Sequence, residues 1–298
     1  MAVYIDKFVI PQGDHESENI FDSTGKYIGA HYPADLFPAK LLKQVDFDRI
    51  TIFYGGNGSG KTTLLNLIAE NLDLIRISPF NSSKSFKSYA KFCKAEMGYG
   101  DYGEKLRVPN GSKIICSDDI FEYMLNIREN NQDIAQSREE AVNDFIQKRY
   151  YDTVKLKGMA YYEEYRLQVL ARKKKMSANK FSKLTAGEEL KLDSNGETAL
   201  RYFYVNLEND KLYLLDEPEN SLSPKKQLEL IKHIAELARY CCCQFVIATH
   251  SPFILSIDGA KIYDLDAYPV DIKNWWELEN PKAYFEFFNS HKDKFLKN

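Results

Sequence analysis

The chain has 298 residues, of which 44% are hydrophobic and 28% charged, with a formal charge of -3 and a pI near 6.0. Those values exclude a disordered chain and a uniformly basic nucleic-acid binder, so any contact with DNA or RNA has to come from a local patch. No apolar run reaches the roughly 20 residues of a membrane helix, so no integral membrane segment is expected, and five cysteines without disulfide or zinc spacing suit a reducing, cytoplasmic setting.

The opening VYIDKFVI alternates enough to predict a strand. A turn-rich region follows, with Gly13, Gly25, Gly29, Pro33 and Pro38. RITIFY is a β-rich apolar run that ends at GGNGSGKTT, and TTLLNLIAENL then places apolar residues at helical spacing. The Ser/Lys-rich SPFNSSKSFKSYAKF reads as a surface loop and KIICS as a short strand. From about Ile120 to Lys180 the pattern is helical and charged. Beyond it, ETALRYFYVNLEN predicts a helix, KLYLLDE a strand, SPKKQLELIKHIAELARY a helix and CQFVIATH a strand. Strands alternating with helices predict an α/β fold with a mostly parallel sheet flanked by helices.

Gly55, Gly60, Lys61 and Thr62 fit G-x-x-x-x-G-K-[ST], with a strand before and a helix after, which makes the fold a P-loop NTPase. The glycines of Gly55-Gly56-Asn57-Gly58-Ser59-Gly60 let backbone N–H groups converge on phosphate oxygens at a helix N-terminus. ATP is the expected ligand. Lys61 is assigned to its β/γ-phosphates, the Thr62 hydroxyl to Mg²⁺ and Thr63 to the α-phosphate side. LYLLDE ends an apolar strand on two acids, a Walker B arrangement. Asp216 is assigned to the Mg²⁺ shell and Glu217 to the attacking water. A second apolar strand ends on Thr249-His250, where open α/β sheets gather ligand groups, and His250 is read as a γ-phosphate or water contact.

Together, GGNGSGKTT, LYLLDEP and VIATHSP resemble the ATP-binding cassette (ABC) class of ATPases, and Asn57 is typical of that class and its SMC and RecF relatives. LYLLDEPENSLSPKKQLELI and QFVIATHSPFIL are similar to small stand-alone bacterial ATPases of the kind found as PtuA-type subunits of phage-defence systems. The resemblance implies one ABC-type domain over 1–298, with an N-terminal β portion to about 53, a helical subdomain over about 118–195 and the remainder from about 196. It also implies a head-to-tail homodimer with ATP at the interface, in which a signature loop at a helix start caps the partner's γ-phosphate.

Two phrases compete for that signature, Thr185-Ala186-Gly187-Glu188 and Ser194-Asn195-Gly196-Glu197. Ser194 lies 22 residues before Asp216, which leaves one helix, a turn and a strand, whereas Thr185 lies 31 before it. The spacing selects Ser194 and Gly196 and leaves LTAGEEL as a lead-in turn. The family's D-loop aspartate is replaced by Ser223. Its Q-loop glutamine has no clear match, with Ser117, Asp118 or Asp119 in its place. Tyr27, Tyr32 and Phe37 are the aromatic candidates for adenine.

Lys148 to Lys180 holds ten basic residues against three acids, with five tyrosines interleaved. It suits DNA or RNA, an acidic protein partner or a solvated helical face. The leading function is an ATP-driven dimeric switch or clamp coupled to nucleic acid or to an effector such as a nuclease. The alternatives are the energy subunit of a membrane transporter and an ATP-sensing module with little turnover.

Overall fold

The structure is a computed structural model describing residues 3–11, 32–33, 36–80, 82–151, 158–187 and 194–296. Tyr27, Lys155, Lys157, Glu188 and the turn glycines Gly13, Gly25 and Gly29 lie outside the described residues. The chain falls into two compact units, one ending at Phe121 and resuming at Asn195, the other running from Glu122 to Ser194.

The first unit contains two sheets. Strand β1 (Ile5–Val9) pairs antiparallel with β2 (Gln44–Asp46) and with β4 (Lys94–Met97). The larger sheet has the order β5-β6-β7-β3-β8-β9, built from β3 (Ile50–Tyr54), β5 (Lys113–Cys116), β6 (Leu212–Asp216), β7 (Gln244–Thr249), β8 (Lys261–Asp264) and β9 (Asp271–Ile272). All its pairings are parallel except β8–β9. Every residue of β3, β6 and β7 is buried, as expected of central strands covered on both faces. The Gln244 amide joins the two sheets: its Oε1 accepts the Ile5 N–H at 2.9 Å, and its Nε2 donates to the Ile5 carbonyl at 2.8 Å.

Helix α1 (Lys61–Asn71) follows β3 directly and buries Leu64, Leu65, Leu67 and Ile68 in the main core. The segment expected to be a surface loop is instead largely helix α2 (Lys84–Phe92). Ser83 caps it by accepting the Phe86 N–H at 3.0 Å, and Phe86, Tyr89 and Ala90, spaced three and four apart, are buried. Asn71 closes the far end of α2 by donating to the carbonyls of Ala90 and Cys93 at 2.9 and 2.8 Å. Lys84, Lys87, Ser88 and Lys91 are exposed on that helix, which is why composition alone read as loop.

Helix α3 (Ser117–Ile146) starts in the first unit and continues into the second, where a π-helical turn (Gln147–Tyr151), a 3-10 turn (Met159–Tyr161), α4 (Tyr162–Ala171) and α5 (Ala178–Ala186) follow. Phe145, Ala171, Met176 and Phe181 form a small core there. Arg149 supports it by donating to the carbonyls of Ala171 and Met176 at 3.2 and 2.7 Å.

LTAGEEL is not a lead-in turn over its described part. Leu184 to Ala186 close α5, the Thr185 hydroxyl donates back to the Phe181 carbonyl at 2.9 Å, and Gly187 ends the helix at φ 87°. The second phrase opens a helix, α6 (Asn195–Asn206). The first unit then continues through α7 (Pro224–Tyr240), α8 (Pro252–Leu255), α9 (Glu279–Ser290) and α10 (Lys292–Phe295). Among the described residues no helix is long and apolar enough to cross a membrane.

Candidate functional site

The loop between β3 and α1 sits at the C-terminal end of the central strand, where parallel α/β sheets expose backbone to ligands. Gly58 and Gly60 adopt φ of 80° and 102°. The φ of Gly60 favours glycine, and a Cβ there would also have to displace the Leu36 methyl, which it would approach to 2.9 Å. Tyr32, Leu36, the loop from Gly56 to Thr63, and Glu217 line a cavity of about 260 Å³.

Lys61 is buried, and its ammonium donates to the carbonyls of Gly55 and Gly56 at 2.7 and 3.1 Å. It stands 3.9 Å from Glu217 Oε1. The Thr62 hydroxyl donates to Asp216 Oδ1 at 3.0 Å, so helix α1 and strand β6 bring the two expected metal-side oxygens together. Tyr32 hydrogen-bonds through its hydroxyl to Thr63 Oγ1 and borders the cavity, whereas Phe37 is fully buried in the core and is not available to a base.

Glu217 follows β6 directly in the left-handed region, at φ 48°, a conformation that costs a non-glycine residue roughly 1–2 kcal/mol. Its N–H is held by the Ala248 carbonyl at 2.9 Å, and Asn220 donates to its Oε2 at 3.2 Å. His250, half exposed, follows β7 and brings Nδ1 to 3.7 Å from Glu217 Oε1. Strand β7 lies between β6 and β3, so the sheet order itself gathers loop, acids and histidine at one edge.

Burial pushes the Asp216 carboxyl up to about 6 from its usual 3.8, against opposing help from the Thr62 hydroxyl and Lys61. The folded-state value exceeds the unfolded one, so the penalty is absent below about pH 4, grows between 4 and 6 and is full above. Asp216→Asn, which keeps an acceptor for Thr62, is expected to stabilise the metal-free protein at pH 7.5 by about 1–3 kcal/mol. Urea unfolding in EDTA measures this, and the gain should shrink at pH 4.5, where the aspartate is largely protonated.

The remaining expected residues divide. A Cβ at Gly196 would lie 3.4 Å from the Ser221 carbonyl oxygen and 4.0 Å from the Ser223 amide nitrogen, so the start of α6 and the loop before α7 are neighbours. Ser223 occupies the N-cap position of α7, and Ser194 is exposed just before α6. Asp119 is committed to backbone, accepting the N–H groups of Ser78 and Cys116 at 2.8 and 2.7 Å, and Asp118 is exposed.

Sequence reasoning missed three residues. Asp266 accepts the Gly56 N–H at 2.7 Å, and Lys40 donates to the Ser59 carbonyl at 2.8 Å, so both tie the phosphate loop from outside. Glu219 is buried and accepts from Thr249, His250 and Ser251. Only the repeated acid in DEPE hinted at Glu219, and nothing in the sequence pairs Lys40 or Asp266 with the loop.

A glycine-bearing loop between a central parallel strand and a helix, with acids and a histidine just past the ends of the neighbouring strands, is the arrangement of a P-loop α/β fold. Residues 118–256, just under half of the chain, match the family described as "AAA domain, putative AbiEii toxin, Type IV TA system". The SMC head domain from Thermotoga maritima is similar at 14% identity, with 91% of this chain and 99% of that chain covered and a TM-score of 0.37. CbiO1 of Clostridium perfringens, part of the ABC transporter complex cbiONQ, is similar at 15% identity, with 98% of each chain covered and a TM-score of 0.35. No curated protein matches the sequence.

Proposed function

We propose that the chain is a Mg²⁺-dependent ATPase that closes as a homodimer over ATP and works as a switch or clamp on a partner. The observation that carries this is one cluster: the Lys61 ammonium 3.9 Å from Glu217, Thr62 bonded to Asp216, and His250 beside Glu217. Thr62 and Asp216 offer two hard oxygen donors 3.0 Å apart, one on a carboxylate that desolvation leaves short of positive charge, and this suits Mg²⁺. When bound, Mg²⁺ supplies charge neutralisation to the β- and γ-phosphates.

The chain's own residues do the rest. Lys61 exchanges its carbonyl partners for phosphate oxygens. Glu217 orients the attacking water and accepts its proton, with His250 adjoining the same carboxylate. Gly196, beside the loop that carries Ser223, and Ser194, two residues before it in the chain, are the groups offered to the partner's ATP. Phosphate release should require Mg²⁺, stop with EDTA and be lost in Lys61→Ala. An unaltered rate in that variant would refute the site.

The output is proposed to be a nuclease-like effector or nucleic acid in a defence or DNA-related process, in line with the toxin–antitoxin description of the matched family. The basic segment is smaller as a free surface than its composition suggested. Lys148 pairs with Asp144, Arg149 donates to the Ala171 and Met176 carbonyls, Arg166 pairs with Glu163 at 3.0 Å and Arg172 donates to the Lys148 carbonyl at 3.2 Å. Lys173, Lys174 and Lys175 are exposed, as are Tyr150 and Tyr151. Replacing those three lysines with Ala should reduce the slope of log K against log salt for labelled DNA or RNA by up to about 3. No binding in the parent protein, or an unchanged slope, removes nucleic acid from this surface.

A further inference from the structure

Glu219 carries an expensive arrangement that the site described so far does not use. Its side chain comes from the turn after β6 and is 7% exposed. One oxygen, Oε1, accepts three hydrogen bonds: from the Thr249 hydroxyl at 2.6 Å, the His250 N–H at 3.0 Å and the Ser251 N–H at 3.2 Å. The other, Oε2, is buried with no hydrogen-bond partner among the described residues. A carboxylate held away from water with one oxygen unpaired is costly, and a shorter or apolar residue would avoid the cost. What the arrangement secures is the turn at the end of β7, because all three donors belong to the consecutive residues Thr249, His250 and Ser251.

The same oxygen stands 3.6 Å from His250 Nδ1, and Glu217 Oε1 stands 3.7 Å from the same nitrogen. Two carboxylates from one turn therefore stand near the same imidazole nitrogen. The network continues through Ser251. Its hydroxyl caps α8 by accepting the Phe253 N–H at 3.2 Å and is 2.6 Å from Gln227 Oε1. Gln227 in turn donates its side-chain amide to the Leu222 carbonyl at 2.9 Å and its backbone N–H to the Ser223 carbonyl at 2.9 Å. A continuous chain of hydrogen bonds thus runs from the His250 turn to the Leu222–Ser223 loop.

We infer that Glu219 is a positioning residue: it fixes the His250 backbone and imidazole against Glu217 and ties that placement to the loop carrying Ser223. This rests on the ATPase reading above. A displacement of about 1 Å in a catalytic group can cost on the order of 10²-fold in rate while leaving substrate affinity alone. Glu219→Ala removes the acceptor for all three donors. Glu219→Gln keeps a carbonyl oxygen of the same reach, while it removes the charge and puts an amide NH2 in place of the other oxygen.

The test is a double-mutant cycle read by single-turnover ATP hydrolysis, with nucleotide affinity measured separately. Glu219→Ala should lose about 10–100-fold in rate with affinity unchanged within about threefold. Glu219→Gln should recover most of that rate. The Glu219→Ala/His250→Ala double variant should be no slower than His250→Ala alone, because Glu219 acts through the histidine. Additive losses, a wild-type rate in Glu219→Ala, or a Glu219→Gln variant as slow as the alanine one would each overturn the assignment. Absence of hydrolysis in the parent protein refutes the ATPase reading instead. Glu219 is then judged by amide hydrogen exchange at His250 and Ser251, which Glu219→Ala should accelerate by about tenfold or more and Glu219→Gln should not. Unchanged exchange in the alanine variant would overturn the positioning role independently.

Discussion

Glu217→Gln is expected to bind ATP at least as tightly as the parent chain and to hydrolyse it about 10²–10⁴-fold more slowly. Both halves follow from one geometry. Glu217 Oε1 lies 3.9 Å from the Lys61 ammonium, so an ionised Glu217 draws on the charge that Lys61 offers to phosphate. The amide ends that competition and cannot accept a proton from water. Glu217 also occupies the left-handed region at φ 48°, held by its N–H to the Ala248 carbonyl, and this backbone bond is independent of the side chain. The substitution should therefore leave the strand end and the fold in place. Nucleotide affinity by fluorescence and phosphate release under single-turnover conditions separate the two effects. Wild-type turnover in Glu217→Gln would assign the water to another group.

The loop, the acids and the histidine were legible because each rests on a local pattern. Glycine spacing marks a tight turn, four apolar residues before Asp216 mark a buried strand, and a strand end followed by Pro218 or Ser251-Pro252 marks an exit. The parallel sheet was legible for the same reason, since β3, β6 and β7 are short runs dominated by apolar residues. What escaped is non-local. Glu219 acquires its role only when β6 and β7 lie side by side and bring Thr249–Ser251 within reach, and Asp266 meets Gly56 across 210 residues of chain. Helix α2 escaped for a different reason: only three of its nine residues, Phe86, Tyr89 and Ala90, are buried apolar anchors, and serine and lysine occupy much of the rest. Tyr32, Tyr27 and Phe37 could not be ranked as adenine contacts from sequence, because aromaticity says nothing of exposure. Burial removes Phe37 and leaves Tyr32 at the cavity wall.

Ser194→Arg is expected to leave ATP binding to the single chain intact while abolishing ATP-dependent dimerisation and hydrolysis. Every residue proposed to hold the nucleotide in the same chain comes from the loop before α1, from the first turn of α1, or from the ends of β6 and β7. Ser194 is exposed immediately before α6 and has its proposed role only toward a second copy. Gly196, two residues on, lies close enough to Ser221 and Ser223 that the start of α6 and that loop would meet a partner's nucleotide as one surface. A guanidinium and its long stem at Ser194 would fill the space a phosphate needs. Thr185→Arg is the matched control. Thr185 is exposed in the last turn of α5 with its hydroxyl turned back to the Phe181 carbonyl, a bond worth only about 1 kcal/mol, so arginine there should fold and should not affect closure. Sedimentation of both variants in the Glu217→Gln background, with ATP and Mg²⁺, gives the comparison, because slowed hydrolysis lets the closed form accumulate. A dimer that survives Ser194→Arg but not Thr185→Arg would move the signature to the first phrase. If the Glu217→Gln chain stays monomeric with ATP, the closing dimer itself is wrong, and hydrolysis would have to be completed within one chain.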